Sequence, residues 1–119
     1  MPRILVLDDD EPLGRTLGEA LTDDGHEVRV ATTLTVALDL LESAAADLIL
    51  TNVGRPTVDG LDIDRIHTLR ARVPRAKIVI FTGHPQALDL DLDELGVAAV
   101  LLKPADLNQL MGVITDALD

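Results

Sequence analysis

Four stretches of the chain are apolar without interruption: Ile4-Leu5-Val6-Leu7, Leu48-Ile49-Leu50, Ile78-Val79-Ile80-Phe81 and residues 97–102. A strand with one wet face alternates polar and apolar residues. Unbroken runs of this length instead fit strands buried on both faces, as in a parallel sheet. A fifth segment, Glu27-Val28-Arg29-Val30-Ala31, does alternate, as an edge strand does.

Stripes at helical spacing fill the intervals. Leu13, Leu17, Ala20 and Leu21 form the first, and Val36, Ala37, Leu40 and Leu41 the second. Leu61, Ile66, Leu69 and Val73 form a third, ended by Pro74. Leu88, Leu92 and Leu95 form a fourth, closed by Gly96 as a C-cap. Leu107, Leu110, Met111, Ile114 and Leu118 form the last, with Asp106 as its N-cap.

The order is therefore βαβαβαβαβα. Strict alternation gives a parallel sheet covered by helices on both faces, and right-handed crossovers leave few topologies. The expected fold is α/β: a doubly wound (βα)5 sheet of strand order 2-1-3-4-5. Its site should lie at the carboxyl ends of strands 1 and 3. A length of 119 residues suits one compact domain. The expectation is one domain over residues 1–119 with no output domain attached.

Composition narrows the partners. The formal net charge is −11, so phosphate backbones would be repelled and nucleic-acid binding is disfavoured. One Phe, with no Tyr or Trp, leaves almost nothing for base stacking. There is no cysteine, and no apolar run approaches the ~20 residues of a membrane helix. A cytoplasmic protein is expected, with no membrane association.

Four features with chemical potential fall at strand carboxyl ends. Asp8-Asp9-Asp10-Glu11 follows the first strand. Neighbouring carboxylates repel by roughly 4 kcal/mol at about 4 Å and an effective dielectric near 20, which a hard cation such as Mg²⁺ relieves. The run reads equally as a solvated turn that lends acids to a helix N-terminus. Asn52 ends the third strand; taken alone, it could equally bond its own backbone in a turn. Thr82 ends the fourth, where a hydroxyl can bond an anion or cap a helix. Lys103 ends the fifth, where an ammonium can reach an anion or simply face water. The topology brings all four to one edge of the sheet.

With these residues in place the chain resembles a response-regulator receiver domain over nearly its whole length. The motifs occur in order: Ile4-Leu5-Val6-Leu7-Asp8-Asp9-Asp10, then Asp47-Leu48-Ile49-Leu50-Thr51-Asn52 with Pro56-Thr57-Val58-Asp59-Gly60 behind it, then Phe81-Thr82-Gly83-His84 and Leu101-Leu102-Lys103-Pro104. The resemblance implies a flavodoxin-like fold and a part in two-component phosphorelay signalling. It implies a Mg²⁺ site at Asp8, Asp9, residue 52 and the Gly54 carbonyl. It also implies a phosphoryl group delivered to residue 52 by a histidine kinase, contacts to that group from Thr82 and Lys103, and a cis-proline at Pro104. No enzyme activity is implied.

The chain departs from the family pattern at several positions. Residue 52 is Asn where the acceptor is Asp, residue 55 is Arg where Met is usual, Val100 takes the place of an aromatic ring, and Ala105 follows Pro104. An acyl phosphate needs a carboxylate nucleophile, and a carboxamide supplies none. Mg²⁺ binding should be weakened because Asn52 brings no charge. The expected function is a phosphorylation-independent receiver acting through protein binding. An ordinary receiver carrying an introduced Asp-to-Asn change is the alternative.

Receivers commonly bind partners through the fourth helix, fifth strand and fifth helix. There, Leu88, Leu92 and Leu95 should cover the core while Leu90 points out among acids at 89, 91, 93 and 94. That surface suits a basic partner helix or a homodimer, or is simply a solvated acidic helix. Basic residues gather at the third helix and its exit, namely Arg65, Arg70, Arg72, Arg75 and Lys77, which would permit head-to-tail contact. Of other classes, a small phosphatase of the haloacid-dehalogenase type would use Asp8 and Asp10, but Pro12 stands where Thr or Val belongs. A flavodoxin would need a phosphate cradle where Asp8 to Glu11 stand.

Overall fold

The apolar runs become the inner strands of one sheet. The computed structural model describes residues 1–53, 61 and 63–119. In chain order its elements are β1 (Arg3–Leu7), α1 (Glu11–Asp23), β2 (Glu27–Ala31), α2 (Leu34–Ser43), β3 (Leu48–Thr51), α3 (Asp64–Arg72), β4 (Lys77–Thr82), a 3₁₀ turn (Pro85–Asp89), α4 (Leu92–Leu95), β5 (Ala99–Leu102) and α5 (Leu107–Leu118). All strand pairs are parallel, in the order β2-β1-β3-β4-β5. The doubly wound sheet expected from the sequence is therefore present, with the alternating segment β2 at an edge.

Each apolar run sends successive side chains into different cores. Leu5, Leu7, Ile49, Ile78 and Ile80 pack on the face that holds α2 and α3. Ile4, Val6, Leu48, Leu50 and Val79 pack on the face of α1 and α5. Burial on both sides removes the need for polar alternation. At two points α1 comes close to β2, where a larger residue would press on Val30. A Cβ on Gly14 or Gly18 would lie 3.0 or 2.9 Å from a methyl of Val30.

Side-chain caps set where the helices begin. Asp10 accepts from Leu13 N at 3.1 Å, Thr33 from Val36 N at 3.2 Å and Asp106 from Gln109 N at 2.7 Å. Gly96 ends α4 in the left-handed region, at φ 71°. Among the described residues, no helix is long and apolar enough to cross a membrane.

The fourth helical segment differs from its expected form. It is a 3₁₀ turn, then extended backbone at Leu90, then a single turn of α-helix. Asp91 causes the break. Its carboxylate accepts from Glu94 N at 3.1 Å, so it starts a new helix instead of continuing the old one. The register of the leucines changes as a result. Leu88, expected in the core, is 60 % exposed, and Leu90, expected outside, packs against the core beside Leu92.

Two other stripe positions are exposed. Val36 lies on the outer side of α2, where Ala37 and Leu41 carry the burial, and Leu107 opens α5 one turn before Leu110 docks.

The expected basic cluster is also divided. Arg70 donates to the carbonyls of Gly96 at 2.8 Å, Val73 at 2.6 Å and Ala76, tying the exit of α3 to the end of α4. Arg75 and Lys77 border the same groove as Asp93 of α4.

Candidate functional site

The sheet register places the chemistry. Leu7 is level with Thr51, and Thr82 with Leu102. The backbone pairing continues one residue past the strands: Asp8 N donates to Ala31 O at 3.1 Å, Asn52 N to Leu7 O at 3.1 Å and Lys103 N to Thr82 O at 2.7 Å. Asp8, Asn52 and Lys103 therefore leave the sheet at one edge, held by backbone hydrogen bonds.

Asp8 is buried, at 3 % exposure, and both its oxygens are engaged. Oδ2 lies 2.7 Å from Lys103 Nζ, and Oδ1 accepts from Asp10 N at 3.0 Å. The lysine head also lies 5.3 Å from the centre of the Phe81 ring, within cation–π range. Lys103 thus spans from the end of β5 to the end of β1 across the ring of β4. The Lys103–Pro104 peptide is cis.

Asn52 is buried among polar groups. Its Nδ2 donates to Asp9 Oδ1 at 2.8 Å, and its Oδ1 accepts from the guanidinium of Arg65 on α3. A carboxylate only accepts and a guanidinium only donates, so both neighbours dictate the same amide orientation. Thr51 supports this corner, its hydroxyl donating to Asn52 O at 2.8 Å.

Thr82 is buried at the end of β4, and its Oγ1 accepts from His84 N at 3.2 Å. Its backbone joins the site through Lys103 N while its hydroxyl serves the following turn. Gly54, Arg55 and the segment from Pro56 to Gly60 lie outside the described residues. Sequence reasoning missed Arg65 as a site residue and Phe81 as the lysine's platform. A helix that follows a strand in this topology starts at the strand's carboxyl edge, so an arginine in its first turn sits level with the site. That position was the available signal.

The response regulator receiver domain family matches residues 4–115. The chain belongs to that family. It is 33 % identical over 114 residues to the photosynthetic apparatus regulatory protein RegA of Rhodovulum sulfidophilum, covering 95 % of this chain and 61 % of that protein. It is 34 % identical over 118 residues to the DNA-binding transcriptional regulator NtrC of Azospirillum brasilense, covering 98 % and 24 %. The chain thus spans less than two thirds of the length of these curated relatives, 61 % of one and 24 % of the other. Among solved structures, the non-phosphorylated HemR receiver domain of Leptospira biflexa superposes with a TM-score of 0.81 at 28 % identity, covering 100 % of this chain and 95 % of that one.

The receiver is therefore a flavodoxin-like module of two-component signalling. Such domains are generally non-enzymatic and interact with histidine kinases or other signalling proteins. Nothing supports the phosphatase alternative.

Receivers typically bind Mg²⁺ at this edge of the sheet. Among the described residues of this receiver, Asp8 and Asn52, which would hold such an ion, are engaged by other partners. The Asn52 oxygen, which would have to face the metal, faces a guanidinium instead, and Asp8 already holds Lys103. Among the described residues, no three His, Asp or Glu side chains cluster as metal ligands.

Proposed function

We propose that this receiver takes no phosphoryl group at residue 52 and acts by binding a signalling protein in one fixed state. One observation carries the reading: the Asn52 carboxamide occupies the end of β3 with its nitrogen on Asp9 and its oxygen on Arg65. Phosphoryl transfer would require a carboxylate oxygen to attack phosphorus as the bond to the leaving group breaks. The amide has no oxyanion, its nitrogen lone pair is delocalised, and its oxygen is already hydrogen-bonded to a cation.

A second departure supports the same reading. Val100 of β5 is partly buried against the core and has no ring to move between buried and exposed positions. Loss of the nucleophile and loss of the moving ring on one mechanism favour a receiver that works without phosphorylation.

The binding face proposed is α4, β5 and α5. The 3₁₀ turn carrying Leu88 packs along β5, as does α5, and Leu88 and Leu107 are its exposed apolar groups. Asp89 and Asp106, their exposed chain neighbours, bring negative charge to this face, which suits a basic surface on a histidine kinase or other signalling protein. Self-association through this face is the competing outcome. Light scattering across a salt series separates the two, a monomer at every ionic strength removing the homodimer. The overall charge of −11 again disfavours nucleic acid as the ligand, and the composition accords with a cytoplasmic site of action.

The deciding experiment is incubation with acetyl phosphate and Mg²⁺ followed by intact mass, with Asn52→Asp alongside. The expected result is an unchanged mass for the native chain. A hydroxylamine-labile adduct on the native chain would refute the proposal.

A further inference from the structure

We infer that Arg65 is this receiver's internal replacement for the divalent cation. Its guanidinium, together with Lys103, makes the site a closed network that excludes Mg²⁺. The inference goes beyond the loss of phosphorylation, since a receiver that accepts no phosphoryl group could still hold a metal through Asp8, Asp9 and a neutral Asn52.

Three observations support it. First, the contacts form two chains with a cation at one end of each: Arg65 to Asn52 to Asp9, and Lys103 to Asp8. The two chains hold two carboxylates and two cations, so these side chains sum to formal neutrality without a metal. An aspartate at 52 would leave one negative charge over; the amide closes the balance.

Second, Arg65 lies in the first turn of α3, where the positive end of the helix dipole opposes a cation. A guanidinium is held there against that field only by acceptors, and Asn52 Oδ1 is one. It is partly buried and reaches in from a helix, whereas the acids sit at strand ends.

Third, both amide termini of Asn52 are committed. To offer its oxygen to Mg²⁺, Asn52 would have to release Arg65. The guanidinium would then lie within a few ångströms of a divalent ion of the same sign in a partly desolvated corner, where screening is weak. An always-charged guanidinium also cannot escape by losing a proton.

The test is titration of Mg²⁺ into the native chain and into Arg65→Ala, followed by amide chemical shifts at Asp8, Asp9 and Asn52, by calorimetry and by melting temperature. The native chain is expected to show neither saturable shifts nor a Mg²⁺-dependent rise in melting temperature. Arg65→Ala is expected to show both, with affinity increased by more than about tenfold. Arg65→Gln keeps a donor for Asn52 Oδ1 without the charge and must behave like Arg65→Ala, which preserves the test if the alanine variant folds poorly. Saturable Mg²⁺ binding by the native chain as tight as by Arg65→Gln overturns the inference, and so does failure of both variants to bind. Neither outcome bears on whether residue 52 accepts a phosphoryl group, which the mass measurement decides separately.

Discussion

Asn52 donates its side-chain amide to Asp9 Oδ1 at 2.8 Å across the ends of β3 and β1. An aspartate at 52 cannot make that bond and sets a second negative charge against Asp9. Two such charges repel by roughly 4 kcal/mol at about 4 Å and an effective dielectric near 20, and Arg65 on the other side offsets part of this. Asn52→Asp should therefore lower the melting temperature without Mg²⁺, at a net cost of about 1–2 kcal/mol, and raise Mg²⁺ affinity. In an Arg65→Ala background both effects should grow. Thermal unfolding with and without Mg²⁺ measures them. Unchanged stability and affinity would mean that residue 52 does not feel the acids.

Lys103 is the partner of a buried carboxylate. Its own side chain is 25 % exposed while that of Asp8 is only 4 % exposed, so removing the amine leaves the less accessible charge unpaired. Lys103→Met should cost about 2 kcal/mol in urea unfolding, less than a fully buried pair because water reaches the lysine side. Adding Asp8→Asn should restore most of the loss, since the uncompensated charge is then gone. A double variant as unstable as Lys103→Met would place the cost in packing on Phe81 instead.

The sheet was legible because its signal is local and redundant: unbroken apolar runs such as Ile78-Val79-Ile80-Phe81 have no other economical reading. Asp8, Asn52 and Lys103 were legible as neighbours because strand order and direction carry their ends to one edge. Arg65 was not. Its meeting with Asn52 depends on how α3 sits after β3, and an arginine on an exposed-looking helix turn carries no spacing that names an acceptor. The orientation of the Thr82 hydroxyl toward His84 N was equally hidden, since a single rotamer decides it. The fourth helix was misread because Leu88, Leu92 and Leu95 fit a helical stripe while Asp91, inside it, is a strong N-cap residue.

Gly96 and Arg70 form a coupled pair at the end of α4. At φ 71° an alanine is strained, and its Cβ would lie 2.8 Å from Arg70 Cδ. Gly96→Ala should destabilise by about 1–3 kcal/mol. Arg70→Ala removes the clash but also the bonds to Gly96, Val73 and Ala76, so it destabilises by itself. In the double variant the clash is absent and the backbone strain remains. The two changes should therefore sum to less than their separate costs. Strict additivity in a double-mutant cycle would show that the side chains do not meet.

The break at Asp91 gives two leucines opposite energetic roles. Leu90 packs against the core beside Leu92, whereas Leu88 is 60 % exposed on the preceding turn. Leu90→Ala should cost about 1–2 kcal/mol, below the range for a fully buried leucine because the site is only partly enclosed. Leu88→Ala should change stability by less than about 0.5 kcal/mol. A continuous helix through this segment demands the reverse ranking, so chemical denaturation of the two variants decides between the geometries. Leu88→Ala should also weaken partner binding if α4, β5 and α5 form the docking face, because truncation removes exposed apolar area without disturbing the fold. Loss of stability in Leu88→Ala with no effect in Leu90→Ala would refute both the broken helix and the exposed role given to Leu88.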